Sequence, residues 1–216
     1  REAEALRARH LDAHAGRVDI ADREGLHAAV DAVAERAGRL DVVFANAGVS
    51  AGPSHVAAPQ GRLADVSPEA WDRSLAINLD GAFETMRAAA RHMIPRGEGS
   101  IVVTASISGM KASPVSGYAY VAAKAALIGL VRHACTELGP HGVRINAIAP
   151  GFIVTNLAGG ILGRDEALAA RLSELVPLRR VGTADELKGV ALFLASRASS
   201  YVTGTVIPVD GGVTAT

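Results

Sequence analysis

The chain has 216 residues, with Lys+Arg and Asp+Glu equal at 22 each and a formal charge of zero. That length suffices for one domain with a sizeable core, and the even balance, without basic stripes or charge blocks, argues against a nucleic-acid partner or a charged tail. One cysteine, Cys135, excludes an intramolecular disulfide framework. No apolar run reaches the roughly 18 residues of a membrane span, and the charged opening REAEALRARH is unlike a signal peptide, so a cytoplasmic protein without membrane contact is expected.

Residues 1–14 read as a helix already under way. His10 and His14 stand four apart, a spacing that holds metal on a helix when a third ligand is near; none is evident, and an exposed charged face is the expectation. Arg17-Val18-Asp19-Ile20 predicts a short strand. Asp22 is placed to cap a helix with an apolar face of Leu26, Val30, Val33 and Ala37, and Gly38 stops it. Residues 41–45, DVVFA, predict a buried strand. The small-residue turn Asn46-Ala47-Gly48 follows, where a ligand can approach backbone closely; a plain strand-to-helix turn has the same composition. Residues 49–66 form a loop in which His55 is an ordinary loop histidine or borders a substrate. Ser67 and Pro68 start a helix with Trp71, Leu75 and Leu79 on its buried face, interrupted by the amide of Asn78. The helix resumes from Gly81 to His92, and Pro95 and Gly97 end it.

Ile101, Val102 and Val103 form a β-branched apolar run between glycines, a buried strand. Ser106 and Ser108 follow at its C-terminal end, where open parallel sheets bind ligands; each holds a substrate oxygen or serves as a turn residue. Residues 116–130, SGYAYVAAKAALIGL, are strong helix formers. Tyr120 and Lys124 lie one turn apart on one face. A free phenol has a pKa of about 10. A fixed cation beside it lowers that value and leaves a group able to exchange a proton with an alcohol oxygen. The same spacing also suits a core helix whose lysine snorkels. Cys135, later in this helix, is expected to be buried and inert.

Residues 143–147 predict a further strand leading into Pro150-Gly151-Phe152-Ile153-Val154-Thr155. Residues 156–180 are glycine-rich and then helical, a mobile lid over a substrate or a surface helix pair. Thr183-Ala184-Asp185-Glu186 fits a capping box for a helix reaching Ala195. Val206–Val209 is a last strand, closed by Asp210-Gly211-Gly212. Alternating strands and helices predict an α/β fold, a doubly wound Rossmann-type parallel sheet in a single domain over residues 1–216.

The ordered set Asn46-Ala47-Gly48, Asn78-Leu79-Asp80-Gly81, Ser106-Ile107-Ser108-Gly109, Tyr120-Val121-Ala122-Ala123-Lys124, Pro150–Thr155 and Val209-Asp210-Gly211-Gly212 resembles the short-chain dehydrogenase/reductase family from about Asp19 onward. The resemblance implies an NAD- or NADP-dependent oxidoreductase interconverting a secondary alcohol and a ketone of polyol, sugar or 3-oxoacyl type. It implies Tyr120 as general acid/base, Lys124 lowering its pKa and holding the nicotinamide ribose, Ser106 orienting the substrate oxygen, and Asn78 holding a water in a proton path. It further implies Asp19 and Ile20 at the adenine, Asn46-Ala47-Gly48 on the adenosine side, Pro150 and Gly151 in the nicotinamide turn, and the Ile153 backbone and Thr155 hydroxyl at the carboxamide. It also implies dimers or tetramers packed through the two long helices. No metal site is implied.

Two departures stand out. The family's opening β-α-β unit, with the glycine turn that seats a pyrophosphate on a helix N-terminus, has no counterpart, so the sheet is expected to have an open edge. Ser106 also precedes Tyr120 by 14 residues, one more than the commonest family spacing, which leaves Ser106 and Ser108 both open with Ser106 preferred. A non-catalytic scaffold that kept the fold is the alternative from another class.

Overall fold

The computed structural model describes residues 2–50, 54, 57–113 and 115–216; His55 lies outside these residues. The opening helix α1 spans only Glu2–Arg7 and buries nothing. The sequence expectation of a helix to residue 14 fails because such a short segment has no packing to hold it. His10 takes a positive φ of 62°, and the Arg7 guanidinium donates to the Ala13 carbonyl at 2.8 Å. His14 pairs with Asp12 at 2.8 Å, so the two histidines share no helix face. Among the described residues no cluster of three metal-ligating side chains occurs.

Residues 17–20 form no strand, because no neighbouring strand offers them hydrogen bonds among the described residues. Helix α2, Arg23–Ala37, is capped by Asp22, whose carboxylate accepts the Gly25 N–H at 3.1 Å, and stopped by Gly38 at φ 67°. Its inward face is Leu26, Val30 and Ala34, with Val33 turned outward. Strand β1, Val42–Ala45, follows.

Helix α3, Pro68–Leu75, starts on a Ser67 cap and runs through a π turn, Ala76–Asp80, into α4, Gly81–Arg96. The expected apolar face is partly inverted. Trp71 is 37% exposed, while Asn78 in the π turn is fully buried. Burial is tolerable there because every polar atom of the amide is satisfied, as described below.

Strand β2, Gly99–Thr104, helix α5, Tyr118–Leu138, and strand β3, Val143–Pro150, form the centre. Beyond them come β4, Ile153–Val154, α6, Glu166–Glu174, β5, Gly182–Thr183, α7, Lys188–Ala195, and β6, Val206–Val209. The main sheet is parallel in the order β1-β2-β3-β6, with Val43 opposite Ile101 and Ile101 opposite Ile145. The small parallel pair β4-β5 was not foreseen.

Successive side chains on a strand point to opposite faces. Ile101, Val103 and Ile145 therefore pack with Met93, Leu127 and Val131 of α4 and α5. Val102 and Ile148 pack on the other side against Leu194 of α7. Helices thus cover both faces of the central strands β2 and β3, the doubly wound arrangement, and most of their residues are buried, while the edge strand β1 leaves Phe44 45% exposed. Each fully buried aliphatic side chain contributes roughly 1.5–3 kcal/mol. A buried Glu84 on α4 accepts from His27 at 2.9 Å and pairs with Arg87 at 3.1 Å and Arg23 at 3.6 Å, clasping α2 to α4. Cys135 is only half-buried, at the edge of the core beside the Gly204 turn. No helix of the described residues is long and apolar enough to cross a membrane.

Candidate active site

The C-terminal ends of β1, β2 and β3 point the same way because the strands are parallel, and the side chains that follow each strand converge there. After β2, Ser106 caps the short turn Ile107–Gly109 and accepts the Ser108 N–H at 3.1 Å. That turn lies directly on α5: a Cβ at Gly109 would sit 2.6–2.7 Å from the backbone of Lys124 and Ala125. Glycine here lets the Ser106 turn reach the helix that carries Tyr120 and Lys124.

Ser106 lies beside the half-buried Tyr120 phenol, near enough to favour its charged form. Ser108 turns away to Ser116, with 2.9 Å between the hydroxyls. Both serines face the substrate side, yet only Ser106 also borders the second pocket described below.

Lys124 is 3% exposed. Its ammonium donates to the Thr104 carbonyl at 2.7 Å and stands 5.6 Å from the centroid of the Tyr120 ring. Burial pulls the ammonium pKa down to about 8. Burial also pushes the phenol up from its ordinary value, and the neighbouring Ser106 hydroxyl recovers only part of that. The expectation that Lys124 would acidify Tyr120 is therefore not met in the free chain. The cation lies beside the ring face, is bound to a carbonyl, and is itself weakened by desolvation.

The Asn78 side chain is held by its neighbours. Its Oδ1 accepts the Val49 N–H at 3.0 Å, and its Nδ2 donates to the Val49 carbonyl at 3.0 Å and to Ser74 Oγ at 3.2 Å. The amide anchors the turn after β1. In that turn, Gly48 stands where a Cβ would come 2.9 Å from Asn78 Oδ1 and 3.7 Å from the Lys124 ammonium. The Asn46 side-chain oxygen, Oδ1, accepts the Thr104 hydroxyl at 2.9 Å.

Two pockets meet at Ser106 and Tyr120. One is bounded by Asn46, Ala47 and Gly48, by Asn78 and Lys124, and by Pro150, Gly151, Ile153 and Thr155. The other runs from Ser106 and Tyr120 under residues 157–172. In the segment that carries its roof, Ala158, Gly159 and Gly160 all take positive φ, of 52°, 69° and 74°, with Ala158 lining the pocket. Gly151 permits a close pass of the β3 turn to Asp210, with a Cβ there only 2.7 Å from the Asp210 Cα.

Asp19 and Ile20 border neither pocket. The Asp19 carboxylate accepts the Ala21 N–H at 3.0 Å, and Ile20 packs on Gly81. Thr104 escaped sequence reasoning because it acts on Lys124 through a backbone carbonyl, which leaves no side-chain signal. Leu157, which borders both pockets, was legible only as part of the lid.

The family model described as enoyl-(acyl carrier protein) reductase matches residues 1–214. The chain belongs to the short-chain dehydrogenase/reductase family. It is 43% identical over 182 residues to a sorbose reductase of Schizosaccharomyces pombe, covering 84% of this chain and 67% of that protein. To a 3-oxoacyl-acyl-carrier-protein reductase of Mycobacterium avium it is 38% identical over 196 residues, covering 90% and 72%. A crystal structure of a gluconate 5-dehydrogenase from Burkholderia cenocepacia, in complex with NADP and tartrate, superposes with a TM-score of 0.90 at 34% identity, over 100% of this chain and 80% of that one. Family membership makes the reaction class NAD(P)-dependent interconversion of an alcohol and a ketone.

The residues present fit the nicotinamide-ribose half of such a cofactor. The buried ammonium of Lys124 lies beside the space that the absent Gly48 Cβ keeps clear. The sequence contains no glycine turn of the pyrophosphate-binding type.

Proposed function

We propose that the chain reduces a small ketone, or oxidises the matching secondary alcohol, at the wall between the two pockets, with Tyr120 as the proton carrier. The observation that carries this reading is the meeting of the Tyr120 phenol, the Ser106 hydroxyl and the Lys124 ammonium at one place where both pockets open. Ser106 holds the substrate oxygen toward the phenol. A phenol held protonated by burial is ready to donate to a carbonyl oxygen as charge develops there. When bound, the dinucleotide supplies or accepts the hydride.

Lys124 would hold the nicotinamide ribose, and the Ile153 backbone with the Thr155 hydroxyl the carboxamide. Pro150 and Gly151 form that turn, and Asn46-Ala47-Gly48, with Asp19 and Ile20, would serve the adenosine side. Asn78 contributes by anchoring Val49, which keeps Gly48 out of the ribose space. Residues 156–180 act as the lid over the substrate pocket.

The substrate belongs to the polyol, sugar or 3-oxoacyl classes that the relatives' names carry. The protein works in the cytoplasm as a homodimer or homotetramer packed through α4 and α5. The test is Tyr120→Phe, which removes one oxygen from the wall. Turnover is expected to fall by roughly 10²–10⁴-fold, with NAD(P)H affinity by calorimetry unchanged; retained turnover would overturn the assignment.

A further inference from the structure

The substrate pocket holds about 190 Å³, and its wall differs from what a sugar or a sugar acid needs. No Lys, Arg, His, Asp, Glu, Asn or Gln side chain borders it among the described residues. Of its hydroxyls, Ser108 and Ser116 bond each other, and Ser113 donates to Ser116 at 3.0 Å. Ser106 and Tyr120 stand together at the reacting end. The Thr155 oxygen already accepts the Leu157 N–H at 3.1 Å. Ser50 adds one further hydroxyl at the margin, and the remaining wall is apolar, with Val115, Phe152, Ile161, Leu162, Leu168 and Leu172 as its bulk. Leu172 is 5% exposed and seated by α6, whose Asp165 cap accepts the Leu168 N–H at 2.9 Å.

We infer that this site takes an uncharged ketone whose carbon frame is apolar away from the reacting carbonyl, an alicyclic ring or a short acyl chain, in preference to a polyhydroxylated sugar or a carboxylate. The inference rests on the reaction proposed above and narrows its substrate classes. A carbonyl oxygen meets Ser106 and Tyr120, while the ring or chain displaces water from the leucine-rich roof. Each sugar hydroxyl brought into that roof loses its water partners without gaining protein ones, which weakens transition-state binding roughly tenfold per group. A carboxylate there meets no cation.

The purified protein, with NADH and with NADPH, is assayed on camphor, 3-oxooctanoyl-N-acetylcysteamine, L-sorbose and 5-keto-D-gluconate. Binding of each is read in parallel by saturation-transfer NMR. An apolar ketone is expected to exceed sorbose and ketogluconate in kcat/KM by about a hundredfold or more; camphor against the thioester separates ring from chain. Ile161→Arg, at a site 43% exposed and so tolerant of the change, is expected to weaken the apolar ketones about tenfold. Leu172→Ala, which loses wall area without adding charge, is expected to weaken them in the same direction.

Equal or better turnover of sorbose or ketogluconate overturns the inference. If nothing is turned over yet an apolar ketone binds and Ile161→Arg removes it, the pocket chemistry stands and the reaction assignment falls. Binding of sorbose alone, or of none of the four, overturns the pocket chemistry.

Discussion

Lys124 is the residue whose energetics the fold changes most. Its folded pKa of about 8 lies below the 10.5 of a free lysine. Below pH 8 the ammonium is charged in both states, and the folded state bears the whole desolvation penalty. Between pH 8 and 10.5 the folded chain sheds the proton first, so stability rises with pH through that window. The interval corresponds to about 3 kcal/mol. Comparing wild type with Lys124→Met by urea unfolding, the difference is therefore expected to move toward the wild type by up to about 3 kcal/mol from pH 8 to pH 10.5. A pH-independent difference would show that the ammonium is not desolvated. At neutral pH the desolvated lysine beside Tyr120 lowers stability, a cost that active sites commonly carry.

At the scale of elements, the site depends on how closely the turn Ile107–Gly109 lies on α5. Gly109→Ala places a methyl 2.6–2.7 Å from backbone atoms that cannot rotate away, so turn and helix must separate. A loss of about 1–3 kcal/mol is expected. Because Ser106 rides on the displaced turn, kcat should fall with NAD(P)H affinity largely kept. Thermal melts and steady-state kinetics on one preparation read both; an unchanged kcat with a lowered Tm would make the contact purely structural. The π turn Ala76–Asp80 has a comparable role, since it sets Asn78 against Val49. Single-turn π bulges often sit at functional positions.

At the scale of the molecule, α5 runs along one face of the sheet and leaves an outer side. A Cβ added at Gly129 on that side would meet nothing within 4 Å, and Phe83 of α4 is 41% exposed. If assembly uses this face, Gly129→Glu is expected to convert a dimer or tetramer into monomers by light scattering, with the far-UV circular dichroism unchanged. Unchanged mass would place the interface elsewhere.

Much of this was legible in the residues. Asp22, Ser67 and Gly38 cap or stop helices through local backbone contacts, so their neighbours in sequence suffice to read them. The capping box at Thr183 and Glu186 is equally local. The run of residues 99–104 reads as a strand because both faces of a central parallel strand are buried, and residues 42–45 read as one from their β-branched and aromatic composition although they form the edge. The ordered motifs around Ser106, Tyr120 and Lys124 carried the reaction class through their resemblance to the family, while the spacing alone placed phenol and amine one helical turn apart.

Tertiary structure alone decided the rest, wherever a group's partner is distant in sequence. It shortened α1, left residues 17–20 without a sheet partner, and buried Asn78 in place of Trp71. It set Ser108 against Ser116 and left Ser106 at the junction of both pockets beside Tyr120. It also set the direction of both pKa shifts, because desolvation depends on what surrounds a group in space, and the carbonyl of Thr104 reaches Lys124 from strand β2.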